Sequence, residues 1–229
     1  MTSVEIAASL AMPVSTTWAV LGRLGLGRLS RLDPPEPPNR YERRRAGELL
    51  HIDVKKLGRI SRVGHRISGD RRSRTRGAGW EYVHVCVDDA TRLAYVEVLS
   101  DEKATTICGF LRRAVGFYRR HGVRVERVMT DNGSGYRSAR HAVVCRSLGL
   151  RHLRTRPYRP RTNGKAERFI RTMLAGWAYG AVYASSLERR RALDGWLWTY
   201  NHHRPHAALG RLPPIARLNE QNNVAGIYT

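Results

Sequence analysis

The strongest constraint on this chain is a change of period near residue 104. Upstream, LLHIDVKKLGRI from residue 49 is strand-like, and WEYVHVCVDDATRLAYVEVLS from residue 80 holds two more apolar strands joined by the turn residues Asp88 to Arg92. Three strands in series predict an antiparallel meander. Downstream, Ile107, Leu111, Ala114, Val115 and Tyr118 recur at helical spacing between Ala104 and His121. There follow a fourth strand, VERVMTD, a helix over Ser138 to Leu148, a short strand over Leu150 to Arg154, a helix starting near Lys165 and a last helix over Leu187 to His202. Strands in series, then helices and strands in alternation, predict an α/β fold with a mixed five-stranded sheet carrying helices on its faces.

Charge narrows the partners. Of 229 residues, 41 are Lys or Arg and 19 are Asp or Glu, a formal net charge of +22. An excess of this size attracts a polyanion, nucleic acid or an acidic membrane surface. Only Lys55, Lys56, Lys103 and Lys165 are lysines; forked recognition of phosphate by arginine and the codon usage of a GC-rich genome both account for that bias. No apolar run approaches the roughly 20 residues that span a bilayer, and the N-terminus lacks the layout of a signal peptide, so the expected location is cytoplasmic, with no membrane partner. Cys86, Cys108 and Cys145 are odd in number and widely spaced, which indicates buried free thiols rather than a disulfide framework or a zinc site.

Residues 3–27 suggest a short helix from Val4 to Leu10, a tight turn over Ala11 to Val14 and a helix from Ser15, with Ser15 or Thr16 as its cap. Such a pair, within residues 1–32, resembles a partial helix-turn-helix whose second helix faces a major groove; two short helices that merely pack together have the same pattern. Over residues 33–47 the prolines of DPPEPPNRYERRR deny the backbone its helical donors, so this is a linker with a basic end. The core is expected over 48–218 and a C-terminal tail over 219–229.

Three acidic residues carry the chemistry. Asp53 lies inside the first strand, where an unpaired carboxylate is costly unless it faces outward beside Lys55 and Lys56. Asp131 ends the fourth strand in TDNG, by itself an ordinary turn signal. Glu167 sits in the first turn of a helix, where the dipole favours an acid. Thirty-five residues, 132 through 166, separate the last two. Together, HID at the first, TDNG at the second, PYRPRTNGKAERF around the third and the closing YNHHRPHAALGRLPP resemble the integrase catalytic core of bacterial insertion-sequence transposases, a DDE family related to retroviral integrases.

The resemblance covers about residues 48–218. It implies a ribonuclease H-like fold and a divalent-metal-dependent polynucleotidyl transferase that cleaves transposon ends and transfers a strand into target DNA. Asp53, Asp131 and Glu167 are then both catalytic residues and metal ligands. Hard cations such as Mg2+ or Mn2+ take oxygen ligands, and two of them serve an in-line displacement, one shared by Asp53 and Asp131, the other held by Asp53 and Glu167. The implied partner is double-stranded DNA, both transposon ends and target, bound by a homo-oligomer assembled on it.

Basic residues would bring that DNA to the acids. Residues 59–76 hold seven arginines, Arg71, Arg72, Arg74 and Arg76 among them, in a segment suited to lie along a phosphate backbone or to be a solvated loop. Arg159, Arg161 and Lys165 belong to a second cluster just before Glu167. Asn163 fits either a helix cap or a DNA contact, and Lys165 stands at the helix start, where free N–H groups favour phosphate. Arg168 and Arg171 flank the acid on the same helix; Arg171, four residues on, fits DNA or an i,i+4 ion pair. Relatives often carry a cation seven residues after the glutamate, where this chain has Leu174. His202, His203 and His206 lack the companion ligands of a zinc motif and fit a helix-end turn.

Two other functions compete: a noncatalytic DNA-binding regulator, which has no need of the three acids, and a ribonuclease acting on hybrids, which has no need of a helix-turn-helix. Neutralising Arg71, Arg72, Arg74 and Arg76 together is expected to flatten the dependence of DNA affinity on salt. An unchanged slope in a binding titration would put that segment off the DNA.

Overall fold

The computed structural model describes residues 1–27, 42–61, 79–155 and 163–226. The chain forms two compact units, Met1–Tyr41 and Glu42–Thr229. In the first, helix α1 (Ser3–Ser9) opens with a reciprocal cap: Thr2 Oγ1 accepts from the Glu5 amide, and Glu5 Oε2 accepts from the Thr2 amide at 2.6 Å. Helix α2 (Val14–Arg23) follows at 113°, an angle typical of helix-turn-helix pairs. The expected caps Ser15 and Thr16 are corrected: Pro13 takes the cap position with no side-chain bond, its φ of −59° already suited to a helix start. Ala11, at φ 49°, makes the turn.

The second unit is built on one sheet, ordered β3-β2-β1-β4-β5. Strands β1 (Leu50–Gly58), β2 (Trp80–Asp88) and β3 (Ala94–Leu99) form the expected antiparallel meander. The β2–β3 turn is locked by Asp88, whose carboxylate accepts from the Ala90 and Thr91 amides, the Thr91 hydroxyl and the Gly47 amide. Strands β4 (Arg127–Thr130) and β5 (Arg151–Arg154) extend the other side of β1 in parallel, so the sheet is mixed.

Helix α3 (Ala104–Arg120) buries all five of the apolar residues expected on its inner face. With α4 (Ala139–Ser147) it covers one side of the sheet, in a core that includes Leu50, Ile52, Val128 and Val144. Helices α5 (Gly164–Met173) and α6 (Ser186–His202) cover the other, around Val83, Val85, Phe169 and Trp177. Between them α5 widens into a π-turn over Leu174–Ala178. Glu81 on β2, 1% exposed, pairs with buried Arg189 of α6 at 2.6 Å. Arg189 also donates to Gly58 O on β1.

Both expected boundaries of this unit move. Residues 42–47 are not linker: the Arg43 amide donates to Asp89, and the Ala46 amide to Gln221 Oε1. Nor does a tail begin at 219, because α7 (Pro214–Gly226) runs through that point and buries Leu218. Pro214 opens it, at the one helical turn that needs no proline N–H. Residues 33–41 of the expected linker lie outside the described residues. No single helix among those described is long and apolar enough to cross a membrane.

Removing one partner of a buried ion pair strands the other charge, at a cost of about 3–5 kcal/mol. Glu81→Ala is therefore expected to lose roughly 3 kcal/mol in urea unfolding, and a loss under about 1 kcal/mol would mean that Arg189 finds water or another acceptor.

Candidate active site

Strand β1 carries Asp53 into the middle of the sheet. In its parallel pairing with β4, Leu50 faces Val128 and His51 faces Met129; two residues further, the same register sets Asp53 beside Asp131, where β4 has ended. Parallel neighbours are about 4.8 Å apart, so two carboxyl-bearing residues meet where β4 ends alongside the middle of β1. Asp53 is half-buried and Asp131 exposed. Asp53 Oδ1 accepts from the Val54 amide and Asp131 Oδ1 from the Gly133 amide, at 2.8 and 2.9 Å. A shallow cavity between them is lined by Asp53, Val54, Asp131, Ile107 and the loop Gly133 to Tyr136.

Glu167 projects, exposed, from the first turn of α5. Burial pushes the Asp53 carboxyl up to about 6, and the negative charges of Asp131 and Glu167 add to that rise. All three acids thus share one electrostatic neighbourhood. Among the described residues no cation is aimed into it strongly enough to reverse the effect: the hydrogen bond from Val54 and the charge of Lys55 only oppose it. Lys56 is paired with Glu102, a further acid lining the same cavity, at 2.6 Å.

The loop after Asp131 is closely fitted. A Cβ on Gly135 would stand 2.4 Å from Ile107 Cδ1 and 3.0 Å from Glu102 O, so no side chain is accommodated there. Tyr136 turns inward and its hydroxyl has no partner among the described residues, whereas Ser134 is exposed. Asn132 Nδ2 donates to Thr155 O at 2.9 Å, tying the loop to the end of β5.

What fixes α5 against β1 is a buried polar network. His51 bonds Asp89 Oδ1 through Nε2 at 2.8 Å and Asn163 Oδ1 through Nδ1 at 3.1 Å. Asn163 Nδ2 donates to Ile52 O, and Lys165 Nζ pairs with Asp89 Oδ2 at 2.6 Å. Hydrogen bonds from His51 and Lys165 outweigh burial and hold the Asp89 carboxyl far below the usual carboxylate range. Asn163 and Lys165, expected at the DNA surface, are therefore corrected to inward-facing residues. Asn163 is the first residue before α5 but makes no capping bond, because its amide is spent on His51 and β1. His51 and Asp89 were missed by the sequence reading; the sequence signal for them was HID, which places His51 on the same strand face as Asp53, and the second acid of the DDATR turn.

Arg168 and Arg171 are exposed on α5, on the turns that carry Glu167. Leu174, seven residues after Glu167, is half-buried and packs against the core at the π-turn. Arg71, Arg72, Arg74, Arg76, Arg159 and Arg161 lie outside the described residues. The three cysteines are buried and free. In the HHRPH segment, His202 Nδ1 bonds Trp198 O, and His206 stacks edge-on against Tyr200.

An integrase core domain model matches residues 43–160, and a second model of the same description matches residues 148–214. The chain belongs to the integrase core domain family. It is 32% identical over 93 residues to a putative transposase, InsD, for an insertion element of Escherichia coli, covering 41% of this chain and 43% of that one. Against a putative integrase of a Spiroplasma virus it is 26% identical over 194 residues, 79% of this chain and 50% of the other. The chain spans half or less of the length of these curated relatives. The catalytic core of bovine immunodeficiency virus (BIV) integrase superposes with a TM-score of 0.54 at 19% identity, covering 78% of this chain and 98% of that one. At that identity the likeness establishes the fold: ribonuclease H-like, as the motifs implied.

The raised Asp53 carboxyl has a consequence for stability. Its value of about 6 lies above the ordinary 3.8, so the folded chain holds that proton more tightly than the unfolded chain. The stabilisation is complete below about pH 4 and is lost as pH rises through about 6. In metal-free buffer at pH 8, Asp53→Asn is expected to be more stable than the natural chain by about 1–2 kcal/mol, and this advantage should disappear at pH 4. A less stable variant at pH 8 would show that the carboxylate is favourably held.

Proposed function

We propose that this integrase core protein is a DNA transposase that cleaves a strand at the transposon ends and joins the resulting 3′-hydroxyl to target DNA. The observation that carries the reading is the meeting of Asp53 and Asp131 on adjacent parallel strands, within electrostatic reach of Glu167. Three carboxylates gathered with no cation paired to them among the described residues make a poor structural site and a good one for hard divalent ions. The donor set, all oxygen, fits Mg2+ or Mn2+. Asp53 and Asp131 would hold one ion, and Asp53 and Glu167 the second. When bound, such ions activate the attacking oxygen and stabilise the leaving one.

The chain's own residues do the rest. Asp53, held at one oxygen by the Val54 amide, has no hydrogen-bond partner on its other oxygen among the described residues. Asp131 is oriented in the same way by Gly133. The His51 and Asn163 network fixes the start of α5 and hence the distance of Glu167 from the strands. Arg168 and Arg171, exposed beside Glu167, would take phosphates of the substrate, and the arginines of residues 71–76 with Arg159 and Arg161 would extend that track. Since α1 and α2 form a bent pair, they are suited to reading the ends of the element. Two ends must be held together for joining, so the active form would be a homo-oligomer assembled on DNA.

The test is a nicking and joining assay on labelled duplex carrying the element's terminal repeats, with Mg2+ or Mn2+. Asp131→Asn and Glu167→Gln are each expected to lower product formation by at least about a thousandfold while DNA affinity stays within about threefold. A variant that still cuts rejects the site. Tight binding by the natural chain with no products would instead make it a DNA-binding regulator.

A further inference from the structure

We propose that His141, Cys145 and His152 form a zinc-binding site, separate from the three carboxylates. His141 and Cys145 are four residues apart on α4 and so share one helix face; His152 comes from β5. One ligand atom from each lies within 4.8 Å of the other two. Cys145 Sγ stands 3.7 Å from His141 Nδ1. Tetrahedral zinc, with sulfur at about 2.3 Å and nitrogen at about 2.0 Å, sets those two atoms about 3.5 Å apart. The sequence spacing hides the set, because its third member is contributed by another element.

A second observation is the state of the His141 ring. It is fully buried, and among the described residues the Cys145 sulfur is the hydrogen-bond partner of both its nitrogens, at 3.7 and 3.9 Å. A neutral imidazole has one donor and one acceptor to satisfy, and one thiol, weak in both roles, is a poor match for a buried ring. A cation on the lone pair would satisfy it.

The protonation states suit a borderline-soft ion. Burial holds His141 down at about 4, and burial with the charge of Arg154 lowers His152, so both rings keep a lone pair at neutral pH. Thr130 Oγ1 donates to Asp131 O at 2.9 Å and therefore accepts from His152 Nε2 at 2.8 Å. That leaves the lone pair of His152 on Nδ1, and the hydroxyl fixes the ring as partners outside a metal's ligand set commonly do. Burial pushes the Cys145 thiol up to about 11, so binding would break its S–H bond, form a sulfur–zinc bond and release one proton to solvent. Thiolate and imidazole select zinc over Mg2+ or Mn2+, and three protein ligands leave a fourth position open. Occupancy would clamp α4 to β5 beneath the loop that starts at Asp131, with Tyr136 edge-on against His141 at 5.5 Å. None of this depends on the chain being a transposase.

The experiment titrates the metal-free full chain with Co2+ as a spectroscopic stand-in for zinc. A thiolate-to-cobalt charge-transfer band is expected, with the visible absorption of tetrahedral cobalt, saturating at one ion per chain and bleached by one equivalent of Zn2+. Cobalt on the carboxylates gives no such band, so the two sites are distinguished in one spectrum. Cys145→Ser is expected to abolish the band and Cys108→Ser to retain it. His152→Asn, on a half-buried strand residue that the fold tolerates better, should weaken cobalt binding about tenfold or more. The proposal is overturned by a folded natural chain without the band, by a band that survives Cys145→Ser, or by unchanged affinity in His152→Asn.

Discussion

The first turn of α5 is tied to the sheet through one buried carboxylate. Asp89 takes hydrogen bonds from His51 of β1 and from the Arg43 amide, and an ion pair from Lys165 of α5. A charge so deeply placed is tolerable only because every oxygen is engaged. Its position then decides the rest: β1 supplies Asp53 two residues beyond His51, and α5 supplies Glu167 two residues beyond Lys165. The acids of the candidate site are thus set by a polar link on their own elements, and the segment before β1 is drawn onto the same carboxylate.

Much of this was legible in the sequence, for physical reasons that differ by element. The meander could be read because turn chemistry at Asp88 to Arg92 joins strands that are neighbours in sequence. Helix α3 could be read because its buried residues recur at one period. Adjacency of β1 and β4 could not, since 68 residues, 59 through 126, separate them and no local pattern states which strands pair; the resemblance supplied it. The direction of Asn163 and Lys165 was hidden for the same reason. A polar residue at a helix start looks identical from the sequence whether its partner is phosphate or a buried acid brought from another strand.

The misplaced boundaries have a common cause. Residues 42–47 and α7 lie far apart in the chain and are stable through each other, the Ala46 amide and Arg44 carbonyl both bonding Gln221. Neither segment has a strong pattern alone. A Pro/Arg-rich stretch and a polar tail each read as loose, and only their pairing, with Leu218 sealed beneath, makes them part of the core.

The sheet order leaves β5 at one margin, four residues long, with Arg151 and Arg154 exposed. A strand from a second copy laid along that margin would bring like charges together and gain few backbone bonds. Were copies of the proposed transposase gathered on DNA, this margin would disfavour pairing of their sheets along β5.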